Sequence, residues 1–250
     1  MKTSSLFRKH FIKNFAVIIF WLFVWEIAAV IVGSNIILVS PRMAFARLFA
    51  LGQTTEFWRS ITVSMWRIMQ GFGLALVIGI LIAAASARFK IIYTLILPAI
   101  NVINAVPIAS FIILAFFAMS TARVSIFVPF VMVLPIIFHN TYKGIINTNS
   151  EILEMAKIFC VPYWKKILYI YIKSAAPYVL AGAQVGIGFA WKSGIAAELI
   201  VQARGTIGGS LHVARIHLQT ADVFAWTIAI VLLSYGMEKI FLLLFKRVKA

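Results

Sequence analysis

Six stretches of this chain, each long enough to cross a bilayer as a helix, are almost wholly apolar, and that feature leaves few folds open. A hydrocarbon core about 30 Å thick takes about 20 helical residues. The runs fall at 15–33, 62–86, 93–118, 124–146, 175–200 and 222–245. None shows the strict alternation of a membrane β-strand. Hydrophobic residues make up 63% of the chain and charged residues 12%, where a soluble domain has about 45–50% and about 25%. A soluble chain of this size cannot hide such an excess in its core. A soluble monomer and a disordered chain are excluded, and one all-α membrane domain over residues 1–250 with six transmembrane helices is expected.

The first run follows a basic segment of Lys2, Arg8, Lys9 and Lys13, as a signal peptide would. Its apolar stretch is longer than the about 7–15 residues of such a segment, and no clear A-x-A site follows, so it reads as a retained helix. The net charge is +16, from 23 Lys and Arg against 7 Asp and Glu. These cations fall between apolar runs and do not alternate with exposed aromatics, which argues against a nucleic-acid partner. Fifteen of them flank one set of span ends and six the other; Arg67 and Lys192 lie within spans. That bias predicts both termini of a multi-pass membrane protein in the cytoplasm, a cytoplasmic loop at 147–172 and an external one at 201–221. The one cysteine, Cys160, excludes an intrachain disulfide and a multi-cysteine metal site, and no cofactor is expected. Segment 38–52 is too short to cross and reads as a helix on the outer surface, with Met43, Ala44, Leu48 and Leu51 near one face.

The long inner loop carries more information. Leu153, Ala156, Phe159 and Cys160 recur at helical spacing, Val161-Pro162 interrupts, and a second short helix resumes from Tyr163. Such a helix either docks on a soluble partner or lies on lipid. Its acids, Glu151 and Glu154, outnumber its one base, Lys157, which favours the partner over an anionic leaflet.

At these residues the chain resembles the permease subunits of bacterial ABC importers, whose inner loop carries Glu-Ala-Ala, three residues, Gly, nine residues, then Ile-x-Leu-Pro. Glu154-Met155-Ala156 occupies the triplet, Cys160 the Gly position, Ile170 the Ile, Ile172 the Leu and Lys173 the Pro. The stretches SITVSMWRIMQGFGLAL, PIIFHNTYKGI, AAPYVLAG and AWKSGIAAELI resemble the nitrate/sulfonate/taurine branch, as do Leu97-Pro98 and Ala105-Val106-Pro107. The resemblance runs over about residues 38–240. It implies the type I importer fold, a coupling helix formed by Glu154, Ala156, Phe159 and Cys160, and a pore made with a second copy. It also implies a separate ATPase subunit and an external solute-binding protein. Gly at the Cys160 position would tolerate positive φ, which Cys adopts less easily; the helix is therefore expected to run through Cys160 and break at Val161-Pro162. The chain has no G-x-x-x-x-G-K-[S/T] loop of its own, so it is not expected to hydrolyse ATP.

Polar residues inside the bilayer are the remaining candidates. Lys192 lies eight residues before Ile200, ~12 Å deep at 1.5 Å per residue, where a lysine costs about 2.5–3.5 kcal/mol. Gln184 and Gly188 share its helix face. A pore-facing cation for anionic solute, a pair with Glu26 and snorkelling to the surface all stand open. Asn101 and Asn104 are neighbours between Pro98 and Pro107, suited to a solute-facing wall or to interhelix bonding. Glu198 reads as an interfacial carboxylate. Gly182-x-x-x-Gly186 reads as close packing within the subunit. The competing function is a gradient-driven carrier, which would show inverted repeats. A membrane enzyme would need a cluster of His, Cys or carboxylates at one depth, and the four His and seven acids do not make one. The leading expectation is a permease for a small solute, with an anion such as a sulfonate or nitrate the favoured class.

Overall fold

The computed structural model describes the backbone of residues 3–246 and the side chains of residues 15–243. Lys2, Arg247 and Lys249 of the charge count lie outside the described residues, as do the side chains of Arg8, Lys9, Lys13 and Lys246. Every described element is helical: α1 (Thr3–Val32), α2 (Pro41–Gly52), α3 (Thr55–Arg88), α4 (Lys90–Ala105), α5 (Ile108–Ala118), α6 (Thr121–Ile146), α7 (Ser150–Ile158), α8 (Tyr163–Lys166), a π-helical turn (Ile167–Tyr171), α9 (Ile172–Ile200), α10 (Ile207–Ile216) and α11 (Thr220–Lys246).

Among the described residues, four helices are both long and apolar enough to cross a membrane: Phe15–Val32 of α1, α3, α6 and Thr220–Leu243 of α11. The expected third span, 93–118, is not one rod. It breaks at Val106-Pro107 into α4 and α5, which meet at 106°. Pro107 donates no backbone hydrogen bond and holds the preceding residue out of the helical region, and Val106 is extended at φ −79, ψ 130. With α4 and α5 taken as one broken span, the candidate spans among the described residues number five. α9 spans 29 residues, enough to cross by length, but Gln184, Lys192 and Glu198 make it less apolar than those four.

α3, α6 and α9 form the centre. Small residues let them approach: a Cβ on Gly71 of α3 would sit 2.3 Å from the Ile126 carbonyl oxygen of α6, and one on Gly194 of α9 would sit 2.4 Å from the Ile68 side chain. Gly182 and Gly186 face Asn140 and Val133 of α6, so their motif packs within the subunit as expected. Trp191, fully buried, fixes α9 to α11 by donating its indole N–H to the Ile230 carbonyl at 3.1 Å. Between membrane helices such a contact contributes through close packing and the hydrogen bond, not through removal of the ring from water.

The surface helix expected at 38–52 is α2. Ser40 caps it, accepting from the Met43 N–H at 3.4 Å, and Pro41 opens the first turn. Ala44 is buried and Leu48 and Leu51 pack on the core, while Met43 stays exposed. Arg47 does not simply face water: its guanidinium pairs in two-pronged fashion with Asp222 at the start of α11, Nη2 to Oδ2 at 2.9 Å. The hydrogen bond to Asp222 raises the Arg47 pKa further above its ordinary value. α1 touches this region through Trp25, whose indole donates to the Val39 carbonyl at 2.9 Å and stacks on Phe224. Its apolar stretch is otherwise open.

Candidate transport path and coupling loop

The two faces of α9 differ sharply. Gly182, Gly186, Ala190, Trp191 and Gly194 pack inward, while Val185, Phe189 and Lys192 are exposed. Gln184 and Gly188 lie beside them, half-buried, and a Cβ on Gly188 would meet nothing within 4 Å. Lys192 is thus exposed on a partly open face of α9, eight residues before its C-terminal end. Glu26 and Lys192 form no ion pair; among the described residues the one salt bridge is Arg47–Asp222. Asn101 and Asn104 are exposed on α4, one turn before the break, and no hydrogen bond joins either to Gln184 or Lys192. The backbone places the four candidates on open faces without bringing them into one cluster.

The C-terminal end of α9 carries Glu198, expected from the sequence to be an interfacial carboxylate and found instead at the centre of a buried hydrogen-bond network. Glu198 is fully buried. Its Oε2 accepts from the Ser64 hydroxyl of α3 at 2.7 Å and from the Gly208 N–H at 3.2 Å. The Ser64 oxygen in turn accepts from the Ile207 N–H at 2.9 Å. Thr206 caps the same helix end, accepting from the Gly209 N–H at 3.1 Å. The first turn of α10 thus presents its free N–H groups to a carboxylate, where the helix dipole favours negative charge. Gly208 is required by closeness: a Cβ there would lie 2.4 Å from the Glu198 Cβ and 2.5 Å from the Leu199 nitrogen. A carboxylate buried this deeply would destabilise the fold without these donors. One signal was available in the sequence: Thr206 before Ile-Gly-Gly is a helix N-cap, and an acid eight residues upstream is in reach of that helix end.

In the segment between α6 and α9, Asn149 caps α7, its side chain accepting from the Glu151 N–H at 2.8 Å. The expectation that the helix runs through Cys160 is overturned. α7 ends at Ile158, and Cys160 adopts φ 50. The Val161 N–H donates to the Ala156 carbonyl at 2.9 Å and the Cys160 N–H to the Lys157 carbonyl at 3.1 Å. This is the Schellman termination, whose left-handed position glycine usually fills. Cys160 takes the glycine conformation because two orphan carbonyls gain donors that way. The predicted stripe also divides. Ala156 is buried against this chain and Leu153 half-buried, whereas Glu154, Met155, Ile158, Phe159 and Cys160 face outward. The loop's available apolar face is Met155, Ile158 and Phe159, continued by Trp164 of α8.

Comparison with known proteins places these features in a family. Residues 75–250 match the family model described as the binding-protein-dependent transport system inner membrane component. The chain is 26% identical over 208 residues to the nitrate import permease protein NrtB of Synechocystis, covering 79% of this chain and 75% of that one. It is 32% identical over 149 residues to NrtB of Synechococcus elongatus, covering 59% and 53%. It is 25% identical over 153 residues to the bicarbonate transport system permease protein CmpB of Synechococcus elongatus, covering 61% and 54%. With most of its length inside the family model, and with several apolar crossing helices around a glycine-packed centre, the chain belongs to the binding-protein-dependent transport system inner membrane components, the permeases of ABC importers.

Proposed function

We propose that this permease passes a small inorganic or organic anion inward, with a separate ATPase supplying energy and an external binding protein delivering the solute. The observation that carries the anion is Lys192: an unpaired cation on the open face of α9, in a row with Gln184 and Gly188. Relatives named for nitrate and bicarbonate support it. Asn101 and Asn104, exposed beside the α4–α5 break, line the same route.

In this reading the chain crosses the bilayer six times, with α4–α5 as one broken crossing and α9 as another. A second copy covers the open α9 face, whose exposed Val185 and Phe189 a lone subunit would leave to lipid or water. The excess of cations on the α7 side puts that loop and both termini in the cytoplasm. α7 couples to the ATPase through Glu154, Phe159 and Cys160, with Ala156 holding the helix against its own subunit.

Reconstitution in proteoliposomes with the ATPase and the binding protein tests the proposal. Internalised nitrate or bicarbonate should require ATP and the binding protein together, and an imposed proton or sodium gradient should not replace ATP. Uptake driven by a gradient alone overturns it.

A further inference from the structure

A cavity of about 800 Å³ opens beside the inner loop, between the end of α3, α6, the π-helical turn and the start of α9. Its deep walls are aliphatic or small: Ile80 and Ala84 of α3 face Ala176, Val179 and Leu180 of α9. Its mouth carries Arg88, Tyr163 and Tyr171. No acid lines it. The wider π turn carries Ile167 and Tyr171 into one wall, and such turns recur at functional sites.

The polarity follows the axis of a bilayer leaflet. α3 is a crossing helix that ends at Arg88, and Ile80 lies eight residues deeper, ~12 Å at 1.5 Å per residue. Ile172 to Leu180 on α9 covers the same distance along the opposite wall. Tyrosines stand where rings prefer the membrane–water boundary. Partway down, Thr141 contributes a buried hydroxyl without a hydrogen-bond partner. Arg88 rests over the Phe89 ring, 5.3 Å from its centroid, and meets no acid among the described residues. A cation without a counter-charge, at headgroup depth above an apolar cavity, calls for an anion attached to a hydrocarbon chain.

We propose that this cavity is a binding site for an anionic phospholipid of the leaflet that α7 and α8 face, with one acyl chain between α3 and α9 and the phosphate at Arg88. The site rests on the membrane placement of the fold and is independent of the solute or the ATPase. Because Tyr163 belongs to α8 and Ile167 and Tyr171 to the π turn, a seated lipid also braces the segment that joins α7 to α9.

The test uses the full chain in a neutral detergent, titrated with phosphatidylglycerol or with phosphatidylcholine of the same acyl chains, read by native mass spectrometry and thermal unfolding. The expected result is tighter retention of phosphatidylglycerol, by tenfold or more, and a higher midpoint with it. Arg88→Gln should bring the two lipids level, and Ala84→Phe, which fills the cavity, should lower retention of both. Equal binding of the two lipids by the unaltered chain overturns the proposal, as does Ala84→Phe with unchanged lipid retention. Should Ala84→Phe leave lipid in place but turn dimers into monomers, a second copy fills the cavity and the lipid site is wrong. Should it fail to fold, Arg88→Gln alone decides: preserved selectivity for phosphatidylglycerol sinks the proposal.

Discussion

Ser64 and Glu198 sit on different helices and share a hydrogen bond of 2.7 Å, and the same serine oxygen receives the Ile207 N–H at 2.9 Å. One hydroxyl therefore ties three elements, α3, α9 and α10, at one end of the bundle. Its donor side gives one hydrogen bond to a buried carboxyl oxygen and its acceptor side satisfies a helix end.

Removing that hydroxyl leaves the Ile207 N–H without its acceptor and takes one of two donors from Glu198 Oε2. Ser64→Ala should cost about 1–3 kcal/mol, the usual penalty for a buried polar group left unpaired. The loss should be local before it is global. Amide hydrogen exchange at residues 207–210 should speed up strongly while the centre of α6 keeps its protection. Uniform exchange across the chain, or no change at 207–210, would show that the latch does not hold α10.

The Arg47–Asp222 pair joins α2 to α11 and leaves Arg47 half-exposed, its side chain at 45% against 12% for Asp222. Its coupling should be near the upper end for surface pairs, about 1 kcal/mol, because the fork is two-pronged. A double-mutant cycle of Arg47→Ala and Asp222→Ala in thermal unfolding gives the value, and high salt should reduce it. A coupling near zero would mean that Leu48 and Leu51 alone seat the helix.

Cys160 occupies a left-handed conformation that costs an L-residue roughly 1–2 kcal/mol. Cys160→Gly should raise the unfolding midpoint, and Cys160→Val, branched at Cβ, should lower it. The reverse order is incompatible with the Schellman turn. The thiol is exposed in the lone chain, so a membrane-impermeant maleimide should label it in inverted vesicles from cells without the ATPase and not in intact cells. Labelling from outside intact cells reverses the proposed orientation.

Legibility in the sequence tracked how local each feature is. α6 and α11 follow from apolar length, which any window of the chain displays. Pro98 and Pro107 were visible, yet which of the two breaks the third run depends on tertiary support: α4 continues through Pro98 and ends before Val106. The depth of Glu198 could be counted along its helix, but burial depends on what covers it. The cover is α10, a 10-residue helix whose amphipathic signal is short. Leu153 and Ala156 of the helical stripe face their own subunit, while Phe159 and Cys160 of the same stripe face outward. Periodicity finds a face and does not say which neighbour meets it. Lys192 was legible because a lysine at that depth needs a reason wherever it points.

Lys192→Met keeps side-chain length and removes the charge. Since no Glu26 pair is formed, stability should hold within about 0.5 kcal/mol, as for a substitution that touches no packed feature. ATP-dependent anion uptake should fall at least tenfold, with binding-protein docking and ATPase assembly intact. Normal uptake by a stable variant would leave the open face of α9 without a role in solute passage.

The division of α7 into an inward and an outward face separates two substitutions that would otherwise look alike. Ala156→Arg forces a long charged side chain into a site with 6% exposure, so it should damage the loop itself, by several kcal/mol. Its effect on ATPase binding would then be indirect. Phe159→Glu changes a side chain that is 73% exposed in the single chain and touches none of the core. It should leave the unfolding midpoint of the isolated permease within a degree or two. Against an ATPase groove it inserts a charge where a ring was buried, and loss of the complex on co-purification should follow, with ATP-dependent uptake falling in step. Glu154→Gln should weaken the complex less, since an exposed charge pair contributes about 0.2–1 kcal/mol. If Phe159→Glu keeps the ATPase bound and uptake normal while Ala156→Arg abolishes both, the outward face is not the contact, and coupling must run through another part of the inner loop.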